Sequence, residues 1–454
     1  MQSHDIAIIG GGAAGALVAI QLLARADAST RIVLIEPGDT LAQGVAYSTR
    51  QPEHLLNVPT GKMSAFAGQP DDFLAFIAAR APRIPRDTLA ATYATRREYG
   101  LYLQDRLQQA IAAARTRLDH VAARVLDLDR DADGTVLTLD SGATLRATRV
   151  VLAAGNTPRP LPARGASALA APRRVDAWDY AGVAAIPAHA DVCIVGTGLS
   201  MVDAILTLAA NGHRGRIHLL SRHALLPLAH TTAPGSVEVD IDGLLAMDLR
   251  ARVRQLRRLA RAATAQGLPW QAVMERLRPH GQALWRSLPE HEQRRFLRHV
   301  VRYWDVHRHR VAPEVHARMQ ALRDSGQLQL HRGRLDMVAA GQRCVQVGAR
   351  RADGSFLNLD VETVINATGL ELRIQAMRNP LLEALVGRGL VRPGPHGIGL
   401  ASAPDGALID ADGRPQPALR VIGSLRIGNL WETIAVPELR VQAEQIAVDL
   451  LGQA

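Results

Sequence analysis

A glycine pattern, Gly10-Gly11-Gly12-Ala13-Ala14-Gly15, separates an apolar strand, Asp5-Ile6-Ala7-Ile8-Ile9, from a long apolar helix. A carboxylate, Glu36, follows 26 positions after Gly10, at the end of the next strand, Arg31 to Ile35. Residues of these types at this spacing bind a dinucleotide. Gly10 makes the tight turn, Gly12 lets the backbone approach a pyrophosphate, and Gly15 lets helix and strand pack closely. The start of the helix offers unpaired N–H groups and the positive end of its dipole to phosphate. Glu36 would accept hydrogen bonds from ribose hydroxyls and repel a 2′-phosphate. The pattern therefore predicts FAD or NAD at this site, not NADP.

A second, degenerate copy lies near the middle of the chain. Val192 to Val195 reads as a strand, Gly196-Thr197-Gly198-Leu199-Ser200-Met201 as the turn, and Val202 to Ala210 as a helix stopped by Asn211-Gly212. Met201 stands where the third glycine would be. The next strand is Arg216 to Leu220, and Arg222, preceded by Ser221, is 26 positions after Gly196. Arginine thus replaces the acid of the first copy. A guanidinium and a hydroxyl suit a 2′-phosphate, so this site is read as NAD(P)H-binding, leaning to NADPH over NADH. Stacking of Arg222 on adenine and a solvated end-of-strand charge are the other readings of that position.

Two dinucleotide sites in one chain imply electron transfer between two cofactors, FAD at the first and NAD(P)H at the second. Val150 to Gly155 and Val364 to Gly369 each read as a buried strand ending in a small-residue turn, as expected of strands that close a nucleotide-binding unit. Gly155, Gly369 and Gly423 are accordingly expected beside FAD.

The elements that must position these groups predict an α/β fold: a Rossmann-like FAD domain with an inserted NAD(P)H domain. Residues 1–185 are expected to form the first part of the FAD domain, 186–360 the NAD(P)H domain with a helical insertion at about 242–320, and 361–454 the return. Residues 42–105 are an excursion from the first sheet. Pro158, Pro160, Pro162 and Pro172 mark a crossing linker, and Val421 to Ser424 a last strand. Pro437 opens a final helix whose N-terminus could face the flavin.

At 454 residues the chain is long enough for two domains. It has no long apolar run, and its first residues enter a core strand, so neither a membrane span nor a signal peptide is expected. Two cysteines, Cys193 and Cys344, form no C-x-x-C pair, which excludes a dithiol relay and fits a cytoplasmic location. Net charge is +10, and Lys62 is the only lysine. The arginine excess reads as compositional, with Arg250 to Arg261 a solvated helix face, so nucleic acid is not expected as a partner. No spacing predicts a metal site. An oligomer is left open.

Several phrases carry a resemblance: Gly44-Val45-Ala46-Tyr47-Ser48, His54-Leu55-Leu56-Asn57-Val58-Pro59, Met63-Ser64-Ala65-Phe66, Gly196-Thr197-Gly198-Leu199-Ser200, Ser221-Arg222-His223, His307-Arg308-His309-Arg310 and Leu430-Trp431-Glu432-Thr433. The chain resembles the bacterial FAD/NAD(P)-binding flavin monooxygenases, a group that includes FAD-dependent urate hydroxylase and aspartate N-monooxygenase. More distantly it is similar to the ornithine and lysine N-hydroxylases. The resemblance implies an oxidoreductase in which NAD(P)H reduces the flavin, O2 adds to give a C4a-hydroperoxide, and one oxygen passes to the substrate. Urate, converted to 5-hydroxyisourate in purine metabolism, is the leading substrate by resemblance. Amine N-hydroxylation, for example of aspartate, is the alternative. A reductase or an RNA-binding flavoprotein would be readings of another class.

A small anionic substrate calls for an arginine-lined pocket. Candidates are the stretch Tyr47 to Phe66, Arg96 with Arg97, and Tyr303 to Arg310. His54, Asn57 and Ser64 are candidate catalytic polar groups that could face the flavin, and Lys62 a candidate for a phosphate or flavin carbonyl. The cofactor set comprises Gly10, Gly12, Gly15, Glu36, Lys62, Gly155, Gly369 and Gly423 for FAD. For NAD(P)H it comprises Gly196, Gly198, Ser200, Ser221 and Arg222.

Overall fold

Short runs of aliphatic residues, buried on both faces, build the parallel cores of two sheets, the first of which also carries antiparallel pairs. The computed structural model describes residues 2–231 and 235–452. In chain order the strands are β1 (Gln2–Ile9), β2 (Ile32–Ile35), β3 (Leu118–Val121), β4 (Val125–Asp131), β5 (Gly134–Leu139), β6 (Thr144–Leu152), β7 (Arg174–Asp176) and β8 (Val192–Val195). They continue as β9 (Ile217–Ser221), β10 (Leu328–Arg332), β11 (Arg334–Ala340), β12 (Val345–Arg350), β13 (Phe356–Val361), β14 (Thr363–Asn366), β15 (Ala407–Ile409) and β16 (Pro415–Val421).

The chain divides into two compact units. The first comprises Met1–Arg50, Pro59–Thr157 and Glu371–Ala454; the second comprises Gln51–Val58 and Pro158–Leu370. In the first unit the sheet order is β15-β16-β6-β1-β2-β3, with β5 added to β6 and β4 to β5. The pairs β6–β1, β1–β2 and β2–β3 are parallel, so β1 lies centrally and is fully enclosed along Ile6 to Ile8. The helix Ala13–Leu23 is apolar nearly all round and packs against the closing helix Val436–Leu451. The other sheet face buries Ile9, Val33, Val150 and Leu152 against Leu381, Leu382 and Leu385.

The excursion from this sheet folds around aromatics. Tyr47, Phe73, Phe76, Tyr99 and Tyr102 touch ring to ring, with Phe73 and Tyr99 edge to face at 5.0 Å. Its long helix, Arg96–Ala113, starts at a capping box: Thr95 accepts from the Glu98 amide, and the Glu98 carboxylate accepts from the Thr95 amide.

In the second unit all five strands of the order β10-β9-β8-β14-β7 are parallel. The antiparallel sheet β11-β12-β13 shares a core with Cys193, Val195, Leu220 and Val364. Residues 241 to 324 are helical, with their own core of Leu244, Ala263, Val273, Leu277 and Leu284.

The unit boundaries differ from the expected 185 and 360. β7 pairs with β14, and Pro158 bridges Leu370, so the outgoing and returning strands run side by side within the second unit. The linker residues 158–185 therefore belong to it. So does β14, expected to begin the return; a buried parallel strand carries no local mark of which sheet receives it.

Candidate functional site

The first glycine turn joins the end of β1 to the helix Ala13–Leu23. Gly10 has φ +104°, and a β-carbon there would lie 2.3 Å from the Ala153 carbonyl oxygen, so glycine is required twice over. A β-carbon at Gly15 would fall 1.9 Å from the Gly10 carbonyl oxygen. Gly12 caps the helix N-terminus. β1 passes to β2 on one side and lies beside β6 on the other, which makes this turn the switch point of the sheet, where α/β folds take ligands.

Glu36 follows β2 as expected. Its carboxylate accepts from the Gly11 amide at 2.7 Å and the Gly38 amide at 3.3 Å. A carboxylate has about four acceptor positions, so ribose hydroxyls can still be received. Gly155 follows β6 with φ +73°, its carbonyl accepts from the Ser424 hydroxyl at 2.9 Å, and the space a β-carbon would take is open. Gly423 lies within 4 Å of Ala14 by its β-carbon direction. Its carbonyl accepts from Thr433, which in turn accepts from Gln442 of the closing helix at 2.9 Å. Gly10, Gly12, Gly15, Glu36, Gly155 and Gly423 thus share one unit and line one sheet end. These residues fit an FAD whose pyrophosphate sits at the helix start.

The second turn repeats the geometry. Gly196 has φ +107°, and a β-carbon there would meet the Ala367 carbonyl oxygen at 2.2 Å. Gly198 caps the helix Leu199–Ala210, and a β-carbon on it would meet nothing within 4 Å. Ser200 accepts from the Trp178 indole at 3.1 Å, and Ser221 accepts from Thr197 at 3.0 Å and from the Ala224 amide at 3.0 Å. Arg222 leaves the end of β9 exposed to solvent. Partial desolvation, then the like charges of Arg302, Arg159 and Arg334, hold its guanidinium below the usual arginine range. His223 is held low by desolvation and by Arg222, Arg332 and Arg302. A cluster of cations that repel one another is a receptor for an anion. Only Arg222 of this cluster is marked by spacing; Arg159, in the proline-rich linker, and Arg302, in a helix, come to it through the fold.

Gly369, expected beside FAD, lies in the other unit from the first glycine turn. It follows β14 by three residues, and its carbonyl accepts from the Arg159 amide at 2.9 Å. The candidate catalytic residues are divided between the two units. His54 and Asn57 belong to the second unit and Ser64 to the first. His54 is fully buried, and its Nε2 lies 2.9 Å from both the Asp203 carbonyl and the Thr207 hydroxyl, tying residues 51–58 to the helix Leu199–Ala210. Asn57 offers its carbonyl to His230 at 2.9 Å. Ser64, also fully buried, lies 2.6 Å from the Gln69 carbonyl and accepts from the Phe66 amide, so its hydroxyl closes the loop. Arg440 of the closing helix donates to the Ser64 carbonyl at 2.9 Å, a contact with no sequence signature. Lys62 ends the turn Thr60–Lys62 with an exposed side chain.

The run His307 to Arg310 lies at a helix end. Arg308 closes the helix Val301–Arg308, Arg310 pairs with Glu275 in the interior, and His307 meets Trp270 edge to face at 4.9 Å. Among the described residues no group of three or more His, Cys, Asp or Glu is placed to hold a metal. No described helix is long and apolar enough to cross a membrane.

Residues 7–157 match a family model described as FAD-NAD(P)-binding. No curated protein sequence matches the chain. Among solved structures, the ornithine N-hydroxylase of Kutzneria sp. 744 is similar at a TM-score of 0.68 and 13% identity, covering 99% of each chain. The ornithine hydroxylase of Pseudomonas aeruginosa is similar at 0.67 and 17%, again over 99% of each. The L-lysine 6-monooxygenase of Pseudomonas syringae is similar at 0.65 and 15%, over 99% of each. At these identities the likeness is one of fold: the chain has the α/β architecture of flavoproteins with two dinucleotide-binding domains.

Proposed function

We propose that the chain is a flavin-dependent monooxygenase that holds FAD on its first unit and NADPH on its second, and that it N-hydroxylates the amine of a small amino acid or diamine. The observation that carries this reading is the contrast between two like turns. Glu36 follows the first, and Arg222, within a cluster of arginines, follows the second. A carboxylate accepts from the hydroxyls of a ribose diol; a guanidinium donates to a 2′-phosphate. When bound, the two groups supply reducing equivalents and oxygen activation, while the chain binds and orients them. The family model over residues 7–157 supports the first site, and the ornithine and lysine hydroxylases among the similar structures favour the amine alternative over urate. Thiol chemistry is disfavoured: burial pushes the Cys193 thiol up to about 12, which leaves it an unreactive neutral group.

The test is flavin content, then NADPH and NADH oxidation and oxygen uptake with ornithine, lysine, cadaverine, aspartate or urate added singly. Stimulation by one amine, with its hydroxylamine as product, supports the reading. Urate loss matched to NADPH oxidation would return urate to first place. A flavin-loaded protein making only peroxide with every amine would remove N-hydroxylation, and a colourless protein that cannot take up FAD would remove the whole reading.

A further inference from the structure

The helix Leu249–Ala265 carries six arginines and no acidic residue. One, Arg252, turns inward, is 5% exposed, and donates to the Leu284 and Met247 carbonyls. The other five, Arg250, Arg254, Arg257, Arg258 and Arg261, are exposed at spacings of three and four and so form one stripe. At 1.5 Å per residue the stripe runs about 16 Å. None of the five has an ion pair or hydrogen bond among the described residues.

Composition alone does not produce this face. In the neighbouring helices of the same insertion, Arg294 pairs with Glu290, Arg295 with Glu292 at 2.5 Å, and Arg302 with Asp305 at 3.0 Å. Those arginines are neutralised one turn away. On the stripe, like charges face each other at i,i+3 and i,i+4, and one of them, Arg250, sits in the first turn, the unfavourable end for a cation. The apolar side of the helix is spent on its own core, where Leu256 and Leu259 pack against Leu244 and Leu277. No large apolar side chain of this helix is exposed, so it has nothing to insert into a lipid surface.

At its C-terminal end the stripe runs into an open hollow of about 440 Å³ lined by Ala260, Arg261, Thr264, Ala265 and Trp270. Trp270, with the Arg310 guanidinium 5.9 Å from its ring centroid and His307 at its edge, lines this hollow where the row of guanidinium groups ends, a setting in which a base can stack next to phosphate ligands. An acidic protein would also neutralise the arginines, but a nucleic acid carries a flat base beside every phosphate, which matches a row of guanidinium groups that ends at an indole. We propose that this face binds single-stranded nucleic acid, with phosphates along the arginine stripe and one base against Trp270.

The test uses the full chain and a fluorescent twelve-nucleotide oligouridylate, with binding followed by anisotropy between 50 and 200 mM NaCl. With five phosphate contacts, log K should fall against log salt with a slope of about −3.5. The double variant Arg254→Gln, Arg258→Gln should lower the magnitude of that slope by about 1.4. Trp270→Leu, which keeps apolar bulk beside His307, should weaken binding at least about fivefold. No binding at 50 mM salt, a double variant that binds as the parent does, or a Trp270→Leu protein of unchanged affinity would each overturn the proposal. None of these outcomes depends on flavin turnover, so the proposed monooxygenase reading stands or falls separately.

Discussion

Arg222 is the position where the proposed nicotinamide specificity can be tested most sharply. Its charged form is already disfavoured by desolvation and by Arg302, Arg159 and Arg334, and among the described residues it has no acidic partner to lose. Replacing it with Gln should therefore leave the fold as stable as before, or slightly more stable. The same replacement removes a charge-assisted hydrogen bond to a 2′-phosphate, worth about 1.5–3 kcal/mol. At 1.4 kcal/mol per factor of ten, kcat/KM for NADPH should drop by about 10- to 150-fold. NADH carries a neutral ribose there and should change by less than about threefold, because only a neutral contact is altered. Arg222→Asp should go further, repelling the phosphate and offering an acceptor to the NADH ribose. The assay is initial-rate oxidation of each nucleotide by flavin-loaded protein, with a thermal melt alongside. An unchanged ratio of the two kcat/KM values, at an unchanged melting temperature, would refute the assignment of Arg222 to the 2′-phosphate.

Two glycines of the same turn should separate folding from binding: Gly196→Ala drives a methyl to 2.2 Å from the Ala367 carbonyl and should destabilise the protein, whereas Gly198→Ala meets no atom and should melt normally while losing NADP affinity, read by fluorescence titration. His54→Ala should cost about 2–4 kcal/mol by urea unfolding, from lost buried hydrogen bonds and packing, with turnover per bound flavin unchanged; lost turnover at full stability would instead make His54 a catalytic group. Burial, and then Arg310, lower the His230 pKa to about 4, so the folded state binds its proton later than the unfolded chain does. Its contribution is whole above about pH 6.5 and is lost as pH falls towards 4. It is worth at most about 3 kcal/mol, and His230→Gln should flatten that part of the stability–pH curve. Native protein should expose at most one thiol to a disulfide reagent and denatured protein two, because Cys193 is enclosed and Cys344 is not.

What could be read in the sequence was what the backbone demands locally. Gly10 and Gly196 hold φ values open to glycine and stand against carbonyl oxygens, so each turn is written in residues that tolerate no substitute. The positions of Glu36 and Arg222 at strand ends were legible because a helix and a strand carry the chain from each turn to them. The roles of His54, Asn57 and Ser64 were not, because a polar side chain in a loop looks the same whether it meets a ligand or a carbonyl. His54 meets Asp203 and Thr207, which lie about 150 residues away. The arginines around Arg222 were hidden for the same reason, since one comes from the linker and another from the helical insertion.

The two turns also show why a degenerate motif can keep its function. In the first, helix and strand approach until the Gly15 hydrogen points at the Gly10 carbonyl, 1.9 Å from where a β-carbon would be. Met201 occupies the same offset in the second turn, is fully buried, and carries a β-carbon that such an approach would forbid. The second turn therefore does not repeat the first one's approach at its third position. That difference leaves the Gly198 amide and the helix start open to a phosphate, because the third glycine serves packing and the second serves the ligand. The spacing that matters for binding survives in the second copy, and only the packing residue has been replaced.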